Sequence, residues 1–244
     1  LLPLDKAIAL TEAYTPSQAH ALVTEGRVTV DGECERRPGA LVSRAQQLAV
    51  DDRVLACRPE IVHYVLYKPR KVLTSCARGP NDPPTAPLVT DFVPPRPRAV
   101  PVGRLDLESE GLLLLTNDGS FARMVTSPEF GVRKSYRVLV EGLRHPWRMQ
   151  EVTSEHLHRL TDGVNVHGND QRLGAEEAHV LDADGQGRTL LQLTLSEGKR
   201  REVRRMLRQV GLRTLCLIRT RIGPLEQPLS CPRTVPEAIQ SLVQ

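Results

Sequence analysis

Aromatic side chains are scarce: they make up 3% of the 244 residues, with a single tryptophan, Trp147. A core built without them must be aliphatic. A carbohydrate site, which rests sugar rings on aromatic platforms, is disfavoured. Cysteine is sparse and scattered, at 34, 57, 76, 216 and 231, with no CxxC pair. That excludes a disulfide framework or a zinc cluster and fits a reducing cytosol. No apolar run is long enough to span a bilayer. The opening Leu1-Leu2-Pro3 carries no signal-peptide pattern, so a cytoplasmic location is expected. Lysine occurs only at 6, 68, 71, 134 and 199, so the net charge of +4 is carried almost wholly by arginine. Arginine offers the forked donor set suited to phosphates and base edges. The balance permits a nucleic-acid partner without demanding one.

What is present concentrates at residues 103–119, GRLDLESEGLLLLTNDG. Residues 98–102 form a short apolar approach. Residues 112–115 are four consecutive leucines closed by Thr116, the pattern of a strand buried on both faces. Asn117, Asp118 and Gly119 tolerate positive φ and predict a turn. Between the two apolar pieces sit Arg104, Asp106, Glu108 and Glu110, bracketed by Gly103 and Gly111. Asp106 is thereby expected on a loop between two strands, a common seat for a catalytic side chain. A merely solvated charged loop is the other reading of the same residues.

Taken in order, residues 4–13 predict a short helix. Thr15-Pro16 predicts the start of a second, running to residue 24 and stopped by Gly26. Residues 27–30 read as a strand turned by Asp31-Gly32. A boundary is expected near residue 58, dividing 1–58 from 59–244. Residues 62–67 alternate as a strand and lead into Lys68-Pro69. The proline-rich stretch 77–101 predicts a surface excursion with one helical turn near 88–92. A helix is expected at 120–126, a strand at 136–140 stopped by Gly142, and a helix over 146–162. His156 and His158, two apart, read as surface residues. Short strands follow at 164–166 and 178–180, then a turn at 182–188 and a strand at 190–195. In 197–211, EGKRREVRRMLRQVG, Val203, Met206, Leu207 and Val210 share one helical face; Arg200, Arg201, Arg204, Arg205 and Arg208 share the opposite one. Residues 212–222 alternate into a strand ended by Gly223-Pro224.

GRLD followed by GLLLLTNDG resembles the signature of the pseudouridine synthases of ribosomal RNA, in the branch carrying an S4 domain. The two helices and EGRVTVDGE of the first 55 residues resemble the S4 RNA-binding module. YKP with VLTS resembles the opening strand of the catalytic domain, although Lys71 stands where that family usually has glycine. EGKRREVRRM resembles its closing motif. The resemblance implies an α+β fold: a small S4 domain, then a catalytic domain on a mostly antiparallel mixed sheet flanked by helices. It implies that Asp106 is catalytic, with Tyr136 in a Lys-x-Tyr context stacking on the base and Arg204 holding Asp106 charged. Arg104, Lys134 and Leu217 are implied to contact the flipped nucleotide. Lys6, Arg27, Arg36, Arg37, Lys68, Arg200, Arg201, Arg205 and Arg208 are expected to grip RNA. The second helix bears Pro16, Ser17, Gln18 and His20 where S4 domains usually carry basic residues. The reaction implied is isomerisation of a uridine to pseudouridine, with no cofactor or metal. The implied partner is ribosomal RNA, first of the large subunit, otherwise of the small, bound by a monomer in the bacterial cytoplasm. The alternatives are a non-catalytic S4-type assembly factor and a glycoside hydrolase using Asp106 with Glu108 or Glu110, which needs two carboxylates set across the bond.

Overall fold

The computed structural model describes residues 1–226 apart from 12, 56–59, 143–150, 167–171 and 200. The expected boundary at 58, the first part of the 146–162 helix, Arg200 and the tail from 227 lie outside the described residues. The chain divides into two compact units. One comprises Leu1–His63 with Pro94–Ala99 and Thr116–Gly119, and the other holds the rest.

In the first unit two helices, Leu4–Ala9 and Pro16–Thr24, cover a four-stranded antiparallel sheet. Thr15 caps the second helix in a reciprocal box with Gln18, leaving Pro16 at the position where a missing N–H costs nothing. Asp31 and Gly32 both have positive φ, as the two-residue loop joining Val28–Val30 to Glu33–Cys34 requires. Leu4, Ile8, Ala19, Val23 and Val28 form an aliphatic core. The first helix ends at Ala9, short of the expected residue 13. The turn after the leucine run also differs from expectation. Asn117 and Asp118 do not adopt positive φ. Instead Asn117 clasps the chain by side chain, accepting from Val62 N at 2.9 Å and donating to Glu60 O at 2.9 Å.

The second unit is built on an eight-stranded mixed sheet among the described residues. Its main path runs Glu177–Ala183, Arg188–Leu195, Lys134–Gly142, Leu212–Ile222, Glu110–Thr116 and His63–Lys68. The first four are antiparallel, and Leu212–Ile222 then meets Glu110–Thr116 in parallel at Ile218↔Glu110 and Arg219↔Gly111. All of Glu110–Thr116 is buried, as its unbroken apolar run predicts. One large aliphatic cluster joins the sheet to the helices Ser154–Asp162 and Glu202–Gln209 through Val138, Leu160, Leu193 and Met206.

Local differences from expectation have physical causes. Ser154–Asp162 starts at a capping box between Thr153 and His156, so His156 is buried rather than a surface residue. The hairpin after Ala183 is tighter than 182–188 because Asp184 accepts from the amides of Gln186 and Arg188. The helix Glu202–Gln209 begins only after Arg201, whose φ of +53° is left-handed. Arg201 therefore precedes the helix and is not part of its cationic face.

Candidate active site

Asp106 sits on the loop between the strands Val100–Val102 and Glu110–Thr116. That loop is held from beneath at three alternate residues. Thr74 Oγ1 donates to Leu105 O at 2.8 Å and accepts from Leu105 N at 3.3 Å. Leu107 O accepts from Lys71 N at 2.8 Å. Lys68 Nζ donates to Ser109 O at 2.7 Å and Pro69 O at 2.9 Å, with Leu107 O a longer 3.5 Å away.

Lys68 was expected to touch RNA, and the structure corrects this. The residue is 0% exposed. An ammonium removed from water needs acceptors, and the loop's carbonyls supply them. Burial pulls its pKa from 10.5 down to about 8, against the opposing pull of Glu110, Glu108 and Asp106. Lys71 has a left-handed backbone, φ +61°, the region that favours glycine, so the lysine bears strain there.

Gly111 closes the loop and decides how near the next strand can come. Its φ is +110°, and a Cβ there would lie 2.2 Å from Arg219 O. No side chain fits, so Leu212–Ile222 approaches the Asp106 loop backbone to backbone.

Three carboxylates share this segment but face different partners. Asp106 Oδ2 lies 3.6 Å from Arg204 Nε and 3.8 Å from Arg201 Nη1. Glu108 and Glu110 instead approach Arg70, each at 3.7 Å, and Glu110 also accepts from Tyr67 Oη at 3.0 Å. Arg204 is anchored by its other arm, which donates to Glu108 O at 3.2 Å and approaches Ser109 Oγ at 3.4 Å. Burial and Arg201 lower the Arg204 pKa, while Asp106 raises it. A guanidinium in this position places fixed positive charge beside Asp106.

Above the loop opens a pocket of about 130 Å³, whose walls include Asp106, Arg104, Tyr136, Lys134 and Leu217. Tyr136 and Leu217 are 8% and 5% exposed, on adjacent strands. Lys134 is buried on the same wall, its pKa lowered by burial and by Arg219. Five expected site residues, Asp106, Tyr136, Arg104, Lys134 and Leu217, thus line one cleft, and a sixth, Arg204, stands beside Asp106 without lining it. Arg201, expected on an outer RNA-binding face, joins them there.

The other basic residues lie elsewhere. Arg208 is exposed on the helix and Arg205 half-buried. Lys6, Arg27, Arg36 and Arg37 belong to the first unit. There Arg27 pairs with Asp51 and Glu25, and Arg37 with Glu35, whose pKa that hydrogen bond holds down to about 2. Arg36 donates to Glu25 O at 3.4 Å.

Sequence reasoning missed two buried charges on the pocket wall, Arg219 and Glu202. Burial raises the Glu202 pKa, opposed by the hydrogen bond its carboxylate accepts from Lys199 N at 2.8 Å. The available signal was a lone glutamate among the arginines of KRREVRR, and an arginine inside an otherwise alternating strand. Among the described residues no cluster of His, Cys, Asp and Glu has the makings of a metal site.

Residues 62–209 match the family described as RNA pseudouridylate synthase, and residues 2–54 match the S4 domain. The chain is 33% identical over 210 residues to the ribosomal large subunit pseudouridine synthase B of Bacillus subtilis (strain 168), covering 85% of this chain and 80% of that one. It is 28% identical over 223 residues to the ribosomal small subunit pseudouridine synthase A of Pasteurella multocida (strain Pm70), covering 91% and 89%. A crystal structure of a pseudouridylate synthase superposes with a TM-score of 0.57 at 25% identity, over 93% of this chain and 90% of that one.

Proposed function

Since the chain belongs to the RNA pseudouridylate synthase family, we propose that it isomerises one uridine of large-subunit ribosomal RNA, using Asp106 as the catalytic carboxylate. The observation that carries this reading is the placement of Asp106. It stands on a clamped loop, beside the Arg204 guanidinium at 3.6 Å, and on the wall of a pocket shared with Tyr136 and Leu217.

The target nucleotide leaves its stack, at a cost of a few kcal/mol, and its uracil enters the pocket between Tyr136 and Leu217. Arg104, exposed at the pocket's edge, occupies the place the base has left. Lys134 contacts the nucleotide from the strand that also carries Tyr136. Asp106 acts at the sugar or the ring as the N1–C1′ bond breaks. The uracil turns, C5 bonds to C1′, the C5 proton departs, and N1 gains a proton. The product is an isomer of the substrate, and the sum consumes no oxidant or water. Tyr136 is placed to stack on the turning ring and to help remove the C5 proton.

Lys6, Arg27, Arg36 and Arg37 on the S4 unit, with Arg205, Arg208 and Arg200, supply phosphate contacts. The large subunit is favoured because the EGKRREVRRM wording resembles that branch and the 33% identical relative carries a large-subunit name. Among the described residues no helix is long and apolar enough to cross a membrane, and we assign the enzyme to the cytoplasm as a monomer.

Chemical tagging of pseudouridine tests the assignment. Ribosomal RNA from cells lacking the gene should miss one pseudouridine, in the large-subunit RNA. Wild-type protein should restore it and Asp106→Asn should not. A missing site in small-subunit RNA would correct the target, and an unchanged map would overturn the function.

A further inference from the structure

One buried charge in the pocket has no role in the scheme above. Arg219 lies on the Leu212–Ile222 strand, directly across from Tyr136 in the antiparallel register, and two residues along from Leu217. It is 4% exposed and lines the pocket. Its Nε donates to Leu112 O at 2.7 Å, fixing the guanidinium against the catalytic loop's own strand. Its Nη2 is buried and meets no hydrogen-bond partner among the described residues. A buried donor left unpaired costs free energy of folding, and native structures leave few of them. Gly111 adds to the point. The close approach it permits is made to the Arg219 backbone, which holds this strand position hard against the loop.

Neutralisation is not what Arg219 finds there. A second buried basic residue, Lys134, lines the same pocket, its pKa lowered by burial and by Arg219 against the opposing pull of Glu202. The pocket wall thus holds two buried basic side chains, Arg219 and Lys134, of which Arg219 has an unanswered donor, alongside the carboxylates Asp106 and Glu202. Such an arrangement favours whatever species in the pocket carries negative charge.

The reaction supplies one. When the N1–C1′ bond breaks heterolytically, its electron pair leaves with the uracil, and the charge spreads to the ring carbonyl oxygens O2 and O4. If Asp106 adds to the ring instead, the displaced π electrons reach O4. Either way the base gains negative charge in the step that frees it, while the neutral substrate uridine carries none.

Resting on the proposed function, we propose that Arg219 is a catalytic residue whose Nη2 donates to a carbonyl oxygen of the uracil and stabilises the charge that develops on the ring as the glycosidic bond breaks. The group acts as a preorganised donor does at a developing oxyanion. It is held in place before the reaction and is worth more in the transition state than in the ground state. A backbone phosphate is the competing acceptor. Arg104 and Arg201, both exposed at this pocket, suit a phosphate better than a residue sealed to 4%.

The test measures tritium release from unmodified ribosomal RNA transcripts carrying 5-tritiated uridine, with enzyme in excess. The variants are Arg219→Met, Arg219→Lys and Asp106→Asn; filter binding gives their affinities and circular dichroism confirms their folding. Arg219→Met should slow the single-turnover step by about 10²–10³-fold, the loss typical of one oxyanion donor, with affinity within about threefold. Arg219→Lys, which keeps the charge, should recover at least about tenfold of that loss. Should Arg219→Met not fold, Arg219→Gln takes its place under the same criteria, since its amide can still donate to Leu112 O. A rate within threefold of wild type, a loss confined to affinity, or a lysine variant no faster than the neutral one would each overturn the role of Arg219. Wild-type enzyme that released no tritium would instead overturn the proposed function.

Discussion

The two units carry their charge in opposite ways. In the first, Arg27 pairs with Asp51 and Arg37 with Glu35, and the arginine side chains are 48% and 81% exposed. Such pairs lie in water, where solvent screening leaves them little effect on stability. In the second, Lys68, Lys134, Glu202 and Arg219 are all buried. Each costs folding energy unless something answers it. For Lys68 the answer is a set of loop carbonyls; for Arg219 one arm is answered and the other is not. Surface pairing in the first unit leaves its arginines in water, where a phosphate could replace a carboxylate. Burial in the second fixes charges around the pocket proposed as the active site. The contrast is between ion pairs held in solvent and charges held in place by the fold.

The largest break comes at Gly111. Gly111→Ala would set a Cβ against the Arg219 carbonyl, backbone on backbone, at a φ that alanine rarely adopts. A loss above about 4 kcal/mol in denaturant unfolding, or failure to fold, is expected. A soluble, active variant of wild-type stability would show that the two strands need not meet so closely.

Lys68→Met comes next. It removes the donor to Ser109 O and Pro69 O, leaving buried carbonyls unpaired, and should cost about 1–3 kcal/mol. It should also change the pH dependence. The folded lysine releases its proton near 8, while the unfolded one holds it to 10.5. Between those values the unfolded chain binds more protons, so this group makes wild-type stability rise with pH across the window and leaves it flat below. Urea unfolding from pH 7 to 10.5 should show that upward contribution in wild type and its loss in Lys68→Met. Parallel curves would mean that Lys68 is not buried as a cation.

The smallest effect is expected in the first unit. Arg27→Gln should leave the denaturant midpoint almost unchanged. It should weaken RNA binding in proportion to one phosphate contact, flattening the salt dependence by about one unit of slope. A large stability loss with unchanged binding would reverse the comparison between the units.

How much of this could be read in advance differs by feature. The buried leucine strand, the Thr15-Pro16 helix start and the Asp106 loop each announce themselves in short-range pattern, because local backbone chemistry decides them. Burial of charge does not. Lys68 looks like any lysine before a proline, and its burial depends on carbonyls about forty residues away. Arg219 alternates correctly for its strand, yet nothing nearby in sequence shows that one arm meets Leu112 O and the other meets nothing. Arg201 was placed on a helix face by periodicity, but a left-handed backbone ends that periodicity one residue earlier. Glu202 lost its signal among the surrounding arginines.

The most direct measurement pairs Asp106 with Arg204. Single-turnover tritium release would be followed for Asp106→Asn, Arg204→Ala and the double variant. If Arg204 acts through Asp106 as proposed, Asp106→Asn and the double variant should both show no detectable turnover, while Arg204→Ala should lose about 10²–10³-fold. Asp106→Asn turning over at the wild-type rate would contradict this.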